Sequence, residues 1–188
     1  MSRWEPDARG RLLTAAVELF TEQGFEQTTV TEIAERAGLT ERTFFRHFAD
    51  KREVLFFGQD DFLQLFVSAV AGAPADATPL EAVAAALNAA AMHFEPRRPW
   101  SQQRGGVIAA NPGLQERELI KLAHLSSAVA EALRDRGVAE PTASLAAQAG
   151  VAVFQVGFTQ WIDADNTRKL SQLMTDGLGA LKVVVAAG

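Results

Sequence analysis

The chain has 188 residues, 48% of them hydrophobic, and a mean hydropathy near zero, enough for one domain or two small ones sharing a core and too apolar for a disordered chain. No uninterrupted apolar run of about 18 residues is present, which argues against a membrane span, and zero cysteines exclude disulfides, thiolate metal sites and thiol nucleophiles. A net charge of −5 excludes a non-specific nucleic-acid coat but not a sequence-specific binder, which needs only a local basic surface where it touches phosphate.

The first eleven residues are polar and carry no apolar core segment, so no secretory signal is expected and the cytoplasm is the expected location. The chain has no tyrosine, no Asn-Gly or Asp-Gly hairpin turn and no clean alternation over a strand length. Helical periodicity recurs throughout, which predicts an all-α fold of about nine helices.

The first helix is predicted over 7–23, with Leu12, Leu13, Ala16, Leu19 and Phe20 on one stripe and Gly24 as its stop. A second begins at Thr29, where Thr29-x-x-Glu32 spells a capping box, and turns Val30, Ile33, Ala34 and Ala37 inward. Gly38 ends it with the positive φ of a tight turn. A short helix over 41–48 follows Thr40 as N-cap. Asp50-x-x-Glu53 opens a fourth helix, predicted as one piece over 50–70. The stretch 71–79 reads as a linker, rich in Ala, Pro, Asp and Gly.

Helices over 80–94 and 99–109 come next, separated by Pro96 and Pro99. Asn111-Pro112 reads as a cap followed by proline at the first helical position, opening a helix over 112–136 that stops at Gly137. The last two helices are predicted over 141–164 and 167–185. Both are apolar over more than one face, so they need cover on two sides. A second copy of the chain supplies it most simply, as a homodimer in which two helices from each subunit meet, with small residues Ala149, Ala152, Gly157, Gly177 and Ala180 permitting close approach.

The chemistry sits in 28–51, TTVTEIAERAGLTERTFFRHFADK. A helix-turn-helix needs an apolar face on a short first helix (Val30, Ile33, Ala34), a glycine in the turn (Gly38) and an apolar plug after it (Leu39). It also needs a second helix with apolar residues inward (Phe44, Phe48) and polar donors outward (Thr40, Arg42, Thr43, Arg46). All these conditions hold. Between Arg42 and Arg52 there are four basic residues against one acid, whereas 1–58 as a whole counts eight basic against ten acidic.

This stretch resembles the TetR family of bacterial regulators, whose signature runs T-x-x-x-I-A-x-x-A-G-x-S-x-x-T-x-Y-x-H-F-x-x-K. Thr29, Ile33, Ala34, Ala37, Gly38, Thr40, Thr43, His47, Phe48 and Lys51 match it. The resemblance implies a helix-turn-helix over about 29–48 inside a DNA-binding domain of 9–69, and an effector-binding and dimerisation domain of 70–188. It implies that Thr29 and Thr31 reach a phosphate, helped by the amides of their helix N-terminus. Thr40, Arg42 and Thr43 would enter the major groove, Arg42 reading guanine through O6 and N7. Arg46 points outward beside them, and His47 and Lys51 would hold phosphates. Phe45 stands where the family often has tyrosine, which keeps the ring and loses a phosphate-directed hydroxyl worth about 1 kcal/mol.

By the same resemblance the protein is a dimeric, ligand-responsive repressor of a palindromic operator in double-stranded DNA. Met92, His93, Trp100, Phe154, Phe158 and Trp161 are the candidates to line a cavity for a hydrophobic or aromatic effector. No cofactor, metal or membrane partner is expected. Three histidines and no HExxH-type motif assemble no catalytic constellation, so no enzyme is expected.

Overall fold

The computed structural model describes residues 7–186. Among the described residues there are helices and turns only: α1 (Ala8–Gln23), α2 (Val30–Arg36), α3 (Glu41–His47), α4 (Lys51–Phe56), α5 (Gln59–Ala71), α6 (Pro79–Phe94), a 3-10 turn (Glu95–Arg97), α7 (Arg98–Ala109), α8 (Pro112–Asp135), α9 (Thr142–Ile162) and α10 (Leu170–Ala186). The all-α expectation holds, with one helix more than the nine read from sequence.

The extra helix comes from Gly58. Its φ of +80° is a left-handed conformation that side-chain-bearing residues rarely adopt, and it divides the predicted 50–70 helix into α4 and α5. One 18-residue window within Lys51–Ala71 is apolar enough by mean hydropathy to cross a membrane, although the stretch holds no uninterrupted apolar run of that length. That stretch is interrupted at Gly58, and it turns Val54, Leu55, Phe56, Phe62, Phe66 and Val70 into the protein's own cores.

The chain forms two compact units. The first runs to Phe57 and takes in Gln103–Glu116, so it ends earlier than the expected 9–69 boundary and recruits a later segment. Arg104 explains the recruitment. Its buried guanidinium donates from Nε to the Leu55 carbonyl at 2.6 Å and lies 5.3 Å from the centre of the Phe56 ring. Within this unit Leu12, Ala16, Leu19 and Phe20 of α1 are buried, as are Ile33, Ala34, Phe44 and Phe48, and α1 packs on α2 and α3.

The second unit holds Gly58–Gln102 and the chain from Arg117. Its core is aromatic at one end, with Phe62, Phe66, Phe94, Phe154, Phe158 and Trp161 in ring-to-ring contact, and alanine-rich at the other. A Cβ on Gly150 would come within 2.2 Å of Val83 Cγ1, and one on Gly177 within 2.9 Å of Val153 Cγ1. Gly157 likewise faces Met174. Gly157 and Gly177, which the sequence suggested for a subunit interface, therefore close α9 onto α10 within one chain, and Gly150 closes α9 onto α6.

Helix ends are fastened by distant cations. Arg98 donates to the carbonyls of Trp161 and Asp163, both at 3.0 Å, and of Asn166 at 2.5 Å, closing the C-terminus of α9. Arg136 does the same after α5, reaching Ala71, Ala73 and Pro74.

Candidate nucleic-acid interface

Two short helices carry the site, and neither would persist alone at seven residues. Local chemistry starts each one. Thr29 accepts from the Glu32 N–H while the Glu32 carboxylate accepts from the Thr29 N–H and hydroxyl, both at 2.8 Å, completing the predicted capping box. The Thr29 amide bond is the chief reason the Glu32 carboxyl sits below its ordinary range. Gly38 turns the chain with φ +67°, and Thr40 caps α3 by accepting from the Thr43 N–H. Ile33, Ala34 and Phe44, each at most 1% exposed, lock α2 and α3 together.

That packing decides which way α3 faces. Phe44 and Phe48 are buried, which turns Thr40, Arg42, Phe45 and Arg46 to the outside, while Thr43 and His47 are half-buried. Arg42 and Arg46 have no hydrogen-bond or ion-pair partner among the described residues. The rest of the predicted basic patch is differently employed. Arg52 is paired with Asp50 at 2.8 Å. Burial pushes the Asp50 carboxyl up, but the Arg52 guanidinium and two backbone N–H groups outweigh it and hold the carboxyl below its usual range. Arg36 is tied across to Glu22 and Glu18 of α1.

Lys51, expected to hold a phosphate, is engaged within the protein. Its ammonium donates to the carbonyls of Phe25 at 2.7 Å, Thr28 at 2.9 Å and Glu26 at 3.2 Å, and stands 4.5 Å from the centre of the Phe25 ring. All three protons of the group are then directed at the loop that leads into α2. The two threonines on α2's side are also engaged. The Thr29 hydroxyl serves the capping box, and the Thr31 hydroxyl donates to the Glu41 carboxylate.

His47 sits at the other end of α3. Its Nε2 is buried with no hydrogen-bond partner. Burial first, then the positive charges of Arg46 and Arg9, hold its imidazole below the ordinary histidine value, so it is neutral near pH 7. Arg9 was not legible as a site residue. It comes from α1, where its guanidinium lies 4.9 Å from the centre of the Phe57 ring, and only the fold brings it near His47.

The candidates for an effector cavity divide. Phe154 and Trp161 are buried, Trp161 being the largest fully buried side chain, and Phe158 is half-buried against both Phe94 and Trp161. His93 is half-buried beside Phe62 and Phe94, and burial, then Arg97, lower its pKa against the pull of Asp61. Trp100 is half-buried on α7. Met92 is 80% exposed and lines nothing. Ala86, Leu87, Ala90 and Ala91 face inward, which places Met92 half a turn away round α6. A cleft of about 60 Å³ lies beside this cluster, between Gln59, Asp60, Phe62 and Leu63 of α5 and Lys121, His124 and Leu125 of α8. Among the described residues no three His, Asp or Glu side chains gather as a metal site.

With this geometry in hand, residues 12–56 match the sequence profile of bacterial regulatory proteins of the tetR family, and residues 77–186, more than half of the chain, match that of the MftR C-terminal domain. The chain belongs to the TetR family. A relative, the HTH-type transcriptional regulator TcmR of Streptomyces glaucescens, is 43% identical over 81 residues, which are 43% of this chain and 36% of TcmR. The chain therefore spans about a third of the length of that curated relative. The relatives it matches are transcriptional regulators and not enzymes.

Two solved structures show the TetR-family fold over nearly the whole length. A putative TetR-family transcriptional regulator from Syntrophomonas wolfei superposes with a TM-score of 0.70 at 18% identity, covering 97% of this chain and 96% of that one. The TetR-family repressor FadR of Thermus thermophilus, solved with lauroyl-CoA, gives 0.59 at 23% identity, covering 93% of each chain.

Proposed function

We propose that the protein is a DNA-binding transcriptional regulator, a repressor of a palindromic operator that it binds as a homodimer and leaves when a small molecule occupies its second unit. The observation that carries the reading is the pair Arg42 and Arg46, exposed and unpartnered among the described residues on a helix whose opposite face is buried. Cations held outward on a rigid helix, with no internal partner to leave, lose little on meeting phosphate or a guanine edge. Thr40 and Thr43 flank Arg42 at the helix start, and Phe45, 54% exposed, offers an apolar face beside them. In this reading Thr29, Thr31 and Lys51 shape the reading surface, and His47, half-buried at the end of α3, takes a phosphate through the exposed part of its ring.

Dimerisation is supported by the outer faces of the last two helices. Leu145 and Val156 of α9 are 63% and 58% exposed, and Val183 of α10 is 68% exposed. Ala152, Gly179 and Ala180 lie exposed between them, so a second copy would meet little steric resistance. Two recognition helices related by a two-fold axis would enter successive major grooves roughly 34–36 Å apart. The effector is read as hydrophobic or aromatic, because the wall available to it is the cluster of Phe62, Phe94, Phe154, Phe158 and Trp161. A TetR-family structure that holds lauroyl-CoA supports an apolar ligand class. A regulator of this kind works in the cytoplasm, beside its DNA.

The test is an electrophoretic shift with the DNA upstream of the protein's own gene. The wild type should retard a duplex from that region, Arg42→Ala should bind more weakly with altered base preference, and Arg46→Ala should weaken binding evenly and flatten its salt dependence. Folded wild-type protein that retards no upstream duplex more than random DNA would refute the reading.

A further inference from the structure

The recognition helix carries an acid in its first turn. Glu41 is exposed, lies between Thr40 and Arg42, and accepts a hydrogen bond at Oε1 from the Thr31 hydroxyl of α2. Its Oε2 has no partner among the described residues. A carboxylate is an odd choice for a surface that approaches phosphates. It accepts and never donates, and it is repelled by the charge of the duplex. The Thr31 bond fixes where that charge points, because it spans the two helices of the motif, ten residues apart in sequence.

In a groove an acceptor-only group is satisfied by an exocyclic amino group, N4 of cytosine first and N6 of adenine second. It meets lone pairs at O6 and N7 of guanine and at O4 of thymine. Resting on the DNA-binding reading above, we infer that Glu41 is a specificity-determining residue: it demands an amino-bearing base, cytosine foremost, next to the base that Arg42 reads, and Thr31 is the positioning residue that aims it. Glu41 costs overall affinity and gains discrimination, since an unmatched base leaves a desolvated carboxylate facing another acceptor. Thr31, whose single hydroxyl proton is committed to Glu41, makes no phosphate contact in this arrangement.

The experiment is selection of bound duplexes from a random-sequence library by the full-length wild type and by Glu41→Gln, Glu41→Ala and Thr31→Val, followed by sequencing. The wild type should prefer cytosine, or adenine in second place, by about tenfold at one symmetric pair of positions. Glu41→Ala should reduce that preference to less than about twofold while the neighbouring guanine preference persists and total affinity rises. Glu41→Gln, with nearly the same shape, should move the preference toward adenine. Thr31→Val should blunt discrimination at that pair alone. An unchanged preference profile in both Glu41 variants would overturn the inference even if affinity rises, since the acid would then be only an electrostatic brake. A uniform loss of affinity in Thr31→Val, with the profile intact, would show Thr31 on a phosphate and remove its positioning role. A wild type that selects no sequence at all would strike down the DNA-binding reading itself, which is a different result from either.

Discussion

The reading unit and the long-helix unit are held together by different means. In the first, α2, α3 and α4 are seven, seven and six residues long, and polar groups do much of the fastening: Thr29, Thr40 and Asp50 cap the helix starts, and Lys51 gathers three carbonyls. In the second, α9 and α10 run 21 and 17 residues, and rings and alanines fill the space between helices. Short capped helices can project a few donors outward at fixed angles, which is what reading a duplex requires. Long helices packed through aromatic rings build a dense apolar interior.

This contrast predicts that the two units fail differently. The largest effect belongs to Trp161→Ala, which removes the biggest fully buried side chain and should cost about 3–5 kcal/mol in urea denaturation. A loss below about 1 kcal/mol would show that the aromatic end of the core is loosely packed, and the contrast would fail on that side. Lys51→Met keeps the stem of the side chain and deletes the charge, leaving three carbonyls without their donor. It should cost about 2–3 kcal/mol, read by the same method. Unchanged stability with weakened operator binding would instead make Lys51 the phosphate anchor that the family resemblance implies.

A finer comparison uses the same motif in both units. Thr29 and Thr78 each form a capping box, with Glu32 and Glu81. Thr29→Ala and Thr78→Ala should each cost about 1 kcal/mol, but only Thr29→Ala should also weaken operator binding, because α2 supports the reading helix. Equal effects on binding would dissolve the division of labour between the units.

The smallest effect is a dependence on pH. His47 has a pKa below the ordinary 6.5 in the folded protein, through burial and through Arg46 and Arg9. Its contribution to stability is therefore fully present above about pH 6.5 and declines as the pH falls through the lowered value. A phosphate against the imidazole would raise that pKa, so binding takes up a proton, and operator affinity should increase severalfold between pH 8 and pH 6. His47→Gln should flatten the profile. Identical slopes in the two proteins would separate His47 from the phosphate.

What the sequence disclosed follows from how far each signal reaches along the chain. Thr29-x-x-Glu32, Thr40 and Gly38 act within four residues, and each does in the structure what its type and position predicted. Thr78-x-x-Glu81 is the same kind of signal, but it stands inside the stretch read as a linker and was passed over. Gly58 was hidden because an apolar helical pattern continues on both sides of it, so only the backbone conformation exposes the break. Met92 suits an apolar wall by residue type, but its phase on α6 turns it to the outside.

The long-range contacts carried no local mark. Lys51 meets carbonyls 23 to 26 residues upstream, Arg104 meets Leu55 across 49 residues, and Thr31 meets Glu41 across the turn. In each case the sequence shows a polar residue on a surface pattern, and only packing decides whether its proton goes to solvent, to DNA or to the protein.

The central claim is that α3 faces outward to read a duplex, and a hydroxyl-radical footprint of the wild type on its selected DNA tests it most directly. The account predicts two protected patches of equal width, symmetric about one centre and separated by about one helical turn, both lost in Arg42→Ala with Arg46→Ala. Uniform or absent protection by protein that is demonstrably folded would contradict it.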